Sequence, residues 1–155
     1  MGKGSEFHFT IPYKQTLHEE NSANYKKSTS VYEPQTKKLK ILIVEDDFES
    51  IELIKISVRK FGKEILTANK GDDAVEICRN NPDIDLVLMD IKMLAIDGYE
   101  ATRQVRQFNS KVIIIAQTAY ALEGDRDKAI KAGCNDYISK PIRQEQLMEL
   151  LEKYF

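Results

Sequence analysis

Short apolar runs alternate with amphipathic stretches over residues 39–155, five times in all. Runs rich in β-branched residues predict strands at 40–44, 64–68, 84–89, 111–116 and 137–139. Apolar residues three or four positions apart predict helices at 51–61, 71–79, 97–106, 121–132 and 144–154. Continuous apolar strands are buried on both faces, which requires parallel strands covered by helices. The pattern therefore predicts an α/β fold, a doubly wound five-stranded parallel sheet in the order 2-1-3-4-5 flanked by five helices.

Polar residues follow four of the predicted strands, and ligand sites in such sheets lie at the carboxyl ends of the strands. Crowded carboxylates repel one another, and a hard dication such as Mg²⁺, which prefers oxygen ligands, removes that conflict. A lysine and a hydroxyl beside one carboxylate suit a phosphoryl group in transfer, which predicts attack by an Asp on a phosphoryl donor. Solvated acids without a ligand are the alternative interpretation. The residues that follow the four predicted strands are Glu45, Asp46, Asp47, Asp90, Thr118, Ala119, Lys140 and Pro141.

Composition narrows the class of protein. The 155 residues carry a net charge of -2, which argues against bulk nucleic-acid binding, and 42% of them are hydrophobic, enough for a globular core. No apolar run reaches the roughly 18 residues of a membrane span, and the first residues do not form a signal peptide. Cys78 and Cys134 lie far apart and form no disulfide framework. We therefore expect a cytoplasmic location, in a parent protein that can still be anchored in a membrane.

Four motifs in order carry a resemblance to a known family. They are I-L-I-V-E-D-D, D-L-V-L-M-D-I-K-M-x-x-x-D-G-Y-E-A-T, I-I-I-A-Q-T-A-Y-A and A-G-C-N-D-Y-I-S-K-P-I. Together they resemble the receiver domain of a two-component response regulator, which has a flavodoxin-like fold. The resemblance covers about residues 39–155, and it implies a module that accepts a phosphoryl group from a phosphohistidine.

The resemblance implies a phosphoacceptor beside a metal site. Asp90 matches the phosphoacceptor. Mg²⁺, for which Mn²⁺ could substitute, is expected on Glu45, Asp46, Asp90 and the backbone carbonyl of Lys92. Asp47 aligns just past the acidic pair and stays outside this ligand set. Glu45 stands where the family more commonly has Asp, and its extra methylene favours a water-mediated contact with the metal.

The resemblance also implies a conformational switch. Lys140 matches the lysine that contacts the phosphoryl oxygens, and it precedes Pro141 in a peptide bond that is often cis in the family. Thr118 matches the switch hydroxyl, and Tyr137 matches the aromatic residue whose rotamer reports phosphorylation. Phosphorylated Asp90 is expected to pull Thr118 inward, with Tyr137 following. For Tyr137, an ordinary half-buried aromatic is the alternative.

A second departure from the family pattern, besides Glu45, and two positions that affect phosphoryl lifetime concern segments next to the expected site. Leu94 stands where the family usually has proline, which loosens the loop after Asp90. Lys92 and Tyr120 occupy positions that tune the lifetime of the phosphoryl group in the family. We expect Tyr120 to shield the site from water and lengthen that lifetime.

The leading segment has its own pattern. G-K-G-S-E-F-H-F-T-I-P resembles the last strand of a histidine-kinase ATP-binding domain, and the residues after it are polar. We therefore expect a remnant of that domain at 1–13, a linker at 14–38 and a receiver at 39–155, as in the carboxyl-terminal part of a hybrid sensor histidine kinase. The remnant strand is expected to pack on a neighbouring molecule or on the receiver. No enzymatic activity is expected beyond self-phosphorylation and self-dephosphorylation at Asp90.

Three other functions are alternatives for this sequence. A stand-alone single-domain response regulator is disfavoured by the kinase-like leading segment and is kept as the first alternative. An Asp-nucleophile phosphatase of the haloacid-dehalogenase kind is disfavoured, because Lys92 stands where that class needs a second Asp. A nucleotide-binding flavodoxin-like protein is disfavoured, because no Gly-rich loop follows the first strand.

Protein partners are expected rather than nucleic acid or membrane. They are a histidine kinase or a histidine phosphotransfer domain, and self-association is left open. The family's usual contact surface lies near residues 48–60. The Ile and Leu residues of that helix are more often core, because the helix has to bury one stripe.

Overall fold

The computed structural model describes residues 37–93, 95–119 and 124–155. Its strands are β1 (Leu39–Val44), β2 (Gly62–Ala68), β3 (Leu86–Asp90), β4 (Ile113–Thr118) and β5 (Asp136–Ser139). Its helices are α1 (Phe48–Val58), α2 (Gly71–Asn80), α3 (Gly98–Arg106), α4 (Asp125–Ala132) and α5 (Gln144–Tyr154). All the strand pairs are parallel, and the order is β2-β1-β3-β4-β5, so the predicted fold is confirmed.

Alternate residues of each strand enter opposite helical layers, as the pleat of a strand requires. On the face that we call the α1/α5 face, Ile41 and Ile43 of β1 pack with Ile54 of α1 and Leu147 of α5. The other face packs against α2, α3 and α4. Its buried residues include Leu42, Val44, Ala74, Val75, Val87, Met89, Ala101, Val105, Ile114, Ala116 and Ala129. The sheet is thus buried on both sides, which explains why its central strands are continuously apolar.

Several predicted boundaries are corrected by local hydrogen bonds. β3 begins at Leu86 rather than at residue 84, because the Ile84 N–H closes a turn onto the Asn81 carbonyl at 3.2 Å. β4 begins two residues later than predicted, because the side-chain oxygen of Asn109 accepts the N–H groups of Lys111 and Val112, each at 3.0 Å. These bonds keep both segments in turns. An apolar run therefore predicts that a strand is present more reliably than it predicts the residue at which the strand begins.

Aspartate side chains begin two of the helices. Asp47 accepts the Ser50 N–H at 2.8 Å before α1, and Asp97 accepts the Glu100 N–H at 2.8 Å before α3. The hydrogen bonds from Ser50 lower the pKa of Asp47. α1 ends at Val58 rather than at residue 61. α4 ends at Ala132 and is capped by Gly133, whose φ of 105° suits a glycine at that position.

The predictions for residues 1–36, Leu94 and Tyr120 concern positions outside the described residues. None of the helices in the described part of the chain has the length and apolar character needed to cross a bilayer.

Candidate functional site

The α1/α5 face brings four chemically active side chains to one end of the sheet. One buried isoleucine or leucine near the end of each of four strands lies on this face: Ile43, Leu88, Ile115 and Ile138. Because side chains alternate between faces, the residues two positions further on lie on the same side: Glu45, Asp90, Gln117 and Lys140. Residues far apart in the chain therefore meet because they lie on one face at the same end of the sheet, although Lys140 lies two positions beyond Ile138, the partner of Gln117. The side chains of Glu45 and Lys140, 95 positions apart, are in hydrogen-bond contact.

Three carboxylates form a compact group at this end of the sheet. One oxygen each from Glu45, Asp46 and Asp90 lies within 4.8 Å of the others. Glu45 and Asp90 are 2% and 4% exposed, and Asp46 is exposed. Burial raises the pKa of Glu45, and the nearby Asp90 adds to that rise. Hard oxygen donors at this spacing fit a Mg²⁺ ion that keeps several waters.

Lys140 balances part of this negative charge. Its ammonium lies 2.9 Å from the Asp90 Oδ2 and also donates to the Glu45 Oε2. Burial alone would lower the pKa of Lys140, but the bonds to Glu45 and Asp90 outweigh it and raise the pKa. The Lys140 N–H donates to the Thr118 carbonyl at 2.7 Å, and the Lys140–Pro141 peptide bond is cis.

The loop after Asp90 is fixed by close backbone contacts. The Lys92 N–H donates to the Asp90 Oδ1 at 3.2 Å, and the Gly98 N–H donates to the Ile91 carbonyl at 3.1 Å. A Cβ atom at residue 98 would lie 2.1 Å from the Asp90 carbonyl oxygen, so only glycine fits there. The start of α3 is thereby held against the end of β3, beside the carboxylates.

Thr118 and Tyr137 lie on the opposite face from Lys140. Thr118 ends β4 and is 9% exposed, two positions beyond Ala116 on the face of α2, α3 and α4. Tyr137 of β5 pairs with Ala116 and packs, half-buried, against the core of that face. The structure thus places both residues at the same end of the sheet, on the side away from α1.

An apolar groove runs beside the site. It encloses about 400 Å³ between α1 and the segment after β5, and its lining residues include Leu53, Ile54, Lys140, Pro141 and Ile142.

The apolar residues of α1 fall into a buried group and an exposed group. Ile51, Ile54 and Val58 are core, whereas Phe48, Leu53 and Ile56 are 73%, 66% and 70% exposed. The expectation that the Ile and Leu residues of α1 are mainly core therefore holds for only part of the helix.

Gln117 is a residue of this site that sequence reasoning missed. It is fully buried, it lines the groove, and neither its Nε2 nor its Oε1 has a hydrogen-bond partner among the described residues. The available signal was a single amide within β4, the most apolar of the strands. That signal shows a polar residue in a buried strand, but it does not show whether the amide is paired.

Comparison with known proteins places this geometry in a family. The model of the response regulator receiver domain matches residues 41–152. A hybrid signal transduction histidine kinase, kinase I of Dictyostelium discoideum, is 34% identical over 120 residues. That match covers 72% of this chain but 7% of the kinase, so the chain spans a small part of that relative's length.

Two solved structures are similar in fold and sequence. The receiver domain of sensor histidine kinase PA1611 from Pseudomonas aeruginosa, which has a magnesium ion coordinated in its active site cleft, is 35% identical with a TM-score of 0.67. That match covers 76% of this chain and 97% of PA1611's receiver. The receiver of Saccharomyces cerevisiae Ssk1, crystallised with the histidine phosphotransfer protein Ypd1, is 30% identical with a TM-score of 0.71, covering 77% of this chain and 90% of Ssk1's. The chain belongs to the response regulator receiver domain family, whose members act in two-component phosphorelays.

Proposed function

We propose that Asp90 is the phosphoacceptor of this receiver. The observation that carries the proposal is the position of its carboxylate, which lies in the group with Glu45 and Asp46 and 2.9 Å from the Lys140 ammonium. A buried carboxylate at the end of a parallel strand, next to further acids and a lysine, suits nucleophilic attack on phosphorus.

The reaction is transfer from a phosphohistidine to Asp90. An Asp90 carboxylate oxygen forms the new P–O bond as the P–N bond to the donor imidazole breaks, and the imidazole nitrogen keeps the electron pair. The Lys140 ammonium donates to a phosphoryl oxygen and holds the group in line with Asp90. Hydrolysis of the acyl phosphate by water returns Asp90 to its carboxylate. Self-phosphorylation and self-dephosphorylation at Asp90 are the only chemistry that we assign to this chain.

The residues that hold the metal are Glu45, Asp46, Asp90 and the backbone carbonyl of Lys92. Mg²⁺, or Mn²⁺ in its place, offsets the repulsion among the carboxylates and the charge of the phosphoryl oxygens when it is bound. The donor set supports this proposal, because oxygens from three carboxylates lie within 4.8 Å. Asp47 stays outside the set, because its carboxylate caps α1.

The switch that follows phosphorylation runs through Thr118 and Tyr137. The Thr118 hydroxyl moves toward the phosphoryl group on Asp90, and the Tyr137 ring turns into the space beside it. The position of both residues on the same face, two register positions apart, supports this coupling. A rearrangement there changes the surface near α4 and β5, away from the groove.

The donor is a histidine kinase or a histidine phosphotransfer domain that docks on α1. The exposed Phe48, Leu53 and Ile56 lie on α1, which starts four residues after β1 ends at Val44. A helix of the donor packed along this apolar face would bring its phosphohistidine to Asp90. Self-association stays open, and we assign no nucleic-acid partner and no membrane contact to this part of the chain.

The parent protein that we propose is a hybrid sensor histidine kinase, with residues 1–13 from its ATP-binding domain, 14–38 as a linker and 39–155 as its receiver. The similarity to hybrid kinases supports it. A stand-alone response regulator is the alternative. The two cysteines are free and buried, which fits the reducing cytoplasm in which we place the receiver.

Phosphotransfer from a protein donor tests the proposal. A radiolabelled histidine phosphotransfer protein, mixed with the chain and Mg²⁺, is expected to lose its label to this chain. Asp90→Asn should abolish the transfer, and Asp46→Asn should slow it strongly. Asp47→Asn is the matched control and should retain most of the transfer. Transfer that persists in Asp90→Asn would contradict the assignment of the phosphoacceptor.

A further inference from the structure

Gln117 lies between the phosphoacceptor and the lysine that serves it. In β4 it pairs with Asp90 of β3 on one side and with Ile138 of β5 on the other. Lys140 is two residues beyond Ile138, and its ammonium reaches Asp90 on the far side of β4. The Lys140 side chain therefore crosses β4 on the face that Gln117 occupies, and both residues line the same groove.

The Gln117 amide is an unusual group in this position. Its oxygen and nitrogen are both buried and have no partner among the residues that the structure describes. Burial of an unpaired amide lowers stability, and an apolar side chain of similar size would avoid that cost. A polar group retained under these conditions points to a hydrogen bond made in another state of the site.

Occupation of the metal site creates that other state. Lys140 now donates to Glu45 and Asp90, and both belong to the group of carboxylates that fits a divalent cation. A cation held by these carboxylates uses their oxygens and repels the ammonium. The ammonium then needs a different acceptor within reach of Asp90, and the Gln117 amide oxygen lies on the same face of the intervening strand.

We propose that Gln117 is a positioning residue for Lys140. When a divalent cation occupies the carboxylates, the Gln117 amide oxygen accepts a hydrogen bond from the Lys140 ammonium and keeps it beside Asp90. A neutral amide can do this without competing for the cation. The inference rests on the proposed function, because it needs the cation site described there.

Calorimetric titration with Mg²⁺ alone tests the proposal on the full chain. In Gln117→Leu the ammonium has no second acceptor, stays on Glu45 and Asp90 and competes with the cation, so the Mg²⁺ affinity should fall about tenfold. In a Lys140→Met background there is no ammonium to accommodate. There the same Gln117→Leu change should alter the Mg²⁺ affinity by less than about twofold.

Two further variants separate positioning from packing. Gln117→Met provides a second apolar replacement and should repeat the result if Gln117→Leu packs poorly. Gln144→Leu, an exposed glutamine at the start of α5, is the matched control and should bind Mg²⁺ like the unsubstituted chain. Without Mg²⁺, thermal unfolding of both Gln117 variants should occur at the same or a higher temperature, because the unpaired amide is gone.

The possible results have distinct meanings. An unchanged Mg²⁺ affinity in both Gln117→Leu and Gln117→Met would overturn the inference and leave the proposed function in place. An equal loss of Mg²⁺ affinity from Gln117→Leu in the unsubstituted and Lys140→Met backgrounds would also overturn the inference, because a purely structural effect does not depend on Lys140. Failure of the unsubstituted chain to bind Mg²⁺ would overturn the metal site of the proposed function, and the inference with it.

Discussion

At the scale of single residues, the site depends on how closely the backbone can approach Asp90. Gly98 begins α3 and leaves no room for a side chain, since a Cβ there would meet the Asp90 carbonyl oxygen at 2.1 Å and the Ile91 Cα at 3.0 Å. Both contacts are with backbone atoms, which cannot rotate away. The glycine in the D-G motif is thus a steric requirement of the end of β3.

Gly98→Ala is expected to lower the free energy of unfolding by about 2–3 kcal/mol, because the loop after Asp90 has to move to admit the methyl group. Urea denaturation measures the loss. Gly124→Ala is the control: it makes the same substitution, its Cβ would have no atom of the described residues within 4 Å, and its φ is 101°. It should cost only about 1 kcal/mol of backbone strain. Equal losses in the two variants would contradict the steric account.

Individual residues were predictable from sequence to different degrees. Glu45, Asp90 and Lys140 could be expected to meet, because each follows a predicted strand and parallel strands end at one edge. Gln117 could not be singled out, because what sets it apart is a buried amide with no hydrogen-bond partner among the described residues, which depends on the folded structure. Sequence patterns locate a side chain on a face, but they do not show its hydrogen bonds.

At the scale of elements, α5 is fastened to β5 by charged and polar contacts. The Asp136 carboxylate accepts from the Lys153 ammonium at 2.7 Å and from the Tyr154 hydroxyl at 3.2 Å. The Tyr154 hydroxyl also donates to the Asn135 carbonyl at 2.8 Å. Burial alone would raise the pKa of Asp136, but these contacts, with the Tyr137 N–H, outweigh it and lower the pKa below its ordinary value of 3.8.

The lowered pKa of Asp136 predicts a pH-dependent contribution to stability. The ionised form is favoured in the folded chain, so the contribution is fully present above the ordinary pKa of 3.8 and is lost as the pH falls through the lower, folded value. Asp136→Asn should be less stable than the unsubstituted chain by about 1 kcal/mol at neutral pH. Urea denaturation from neutral pH to about pH 3 should show this difference shrinking at the acid end. A difference that grows on acidification would have the wrong sign.

If the donor protein docks on the exposed face of α1, substitutions there should slow phosphotransfer from a protein donor but not from a small-molecule donor. Leu53→Glu and Ile56→Glu place charges on the apolar face and should slow phosphotransfer from a histidine phosphotransfer protein by at least about tenfold. Labelling by acetyl phosphate, which needs no docking helix, should stay within about twofold.

Ile130→Glu on α4 is the matched control, because it changes an exposed isoleucine away from the groove. It should leave transfer from the protein donor unaffected. Equal slowing of the two donors by the α1 variants would contradict a docking role for this face.

Elements were more predictable than their ends. The strand order and the alternation of strands and helices followed from apolar runs separated by amphipathic stretches, and the structure confirms both. The starts of β3 and β4 did not follow, because a turn at Asn81 and a capping interaction at Asn109 keep the two residues predicted to begin each strand, one of them apolar, out of it. Such local hydrogen bonds compete with strand pairing, and the hydrophobic pattern of the sequence does not predict them.

At the scale of the whole molecule, the sheet brings residues that are far apart in the sequence to one end of the fold. Glu45 and Lys140 directly follow the first and fifth strands and Asp90 ends the third, and all three lie on one face of the sheet. The opposite face carries Thr118 and Tyr137. In the proposed function, a phosphoryl group on Asp90 would lie between the proposed metal ligands and Lys140 on one face and Thr118 and Tyr137 on the other, so a local change of charge could reach a distant surface.

Intact mass measurement after incubation with Mg²⁺ and acetyl phosphate tests the central claim most directly. The account predicts a gain of one phosphoryl group, located by peptide mapping at Asp90, which is absent in Asp90→Asn and reduced when Mg²⁺ is chelated. Asp85→Asn, an acid at the opposite end of the sheet, should keep the full gain. No gain in the unsubstituted chain, or a gain that survives in Asp90→Asn, would contradict the account.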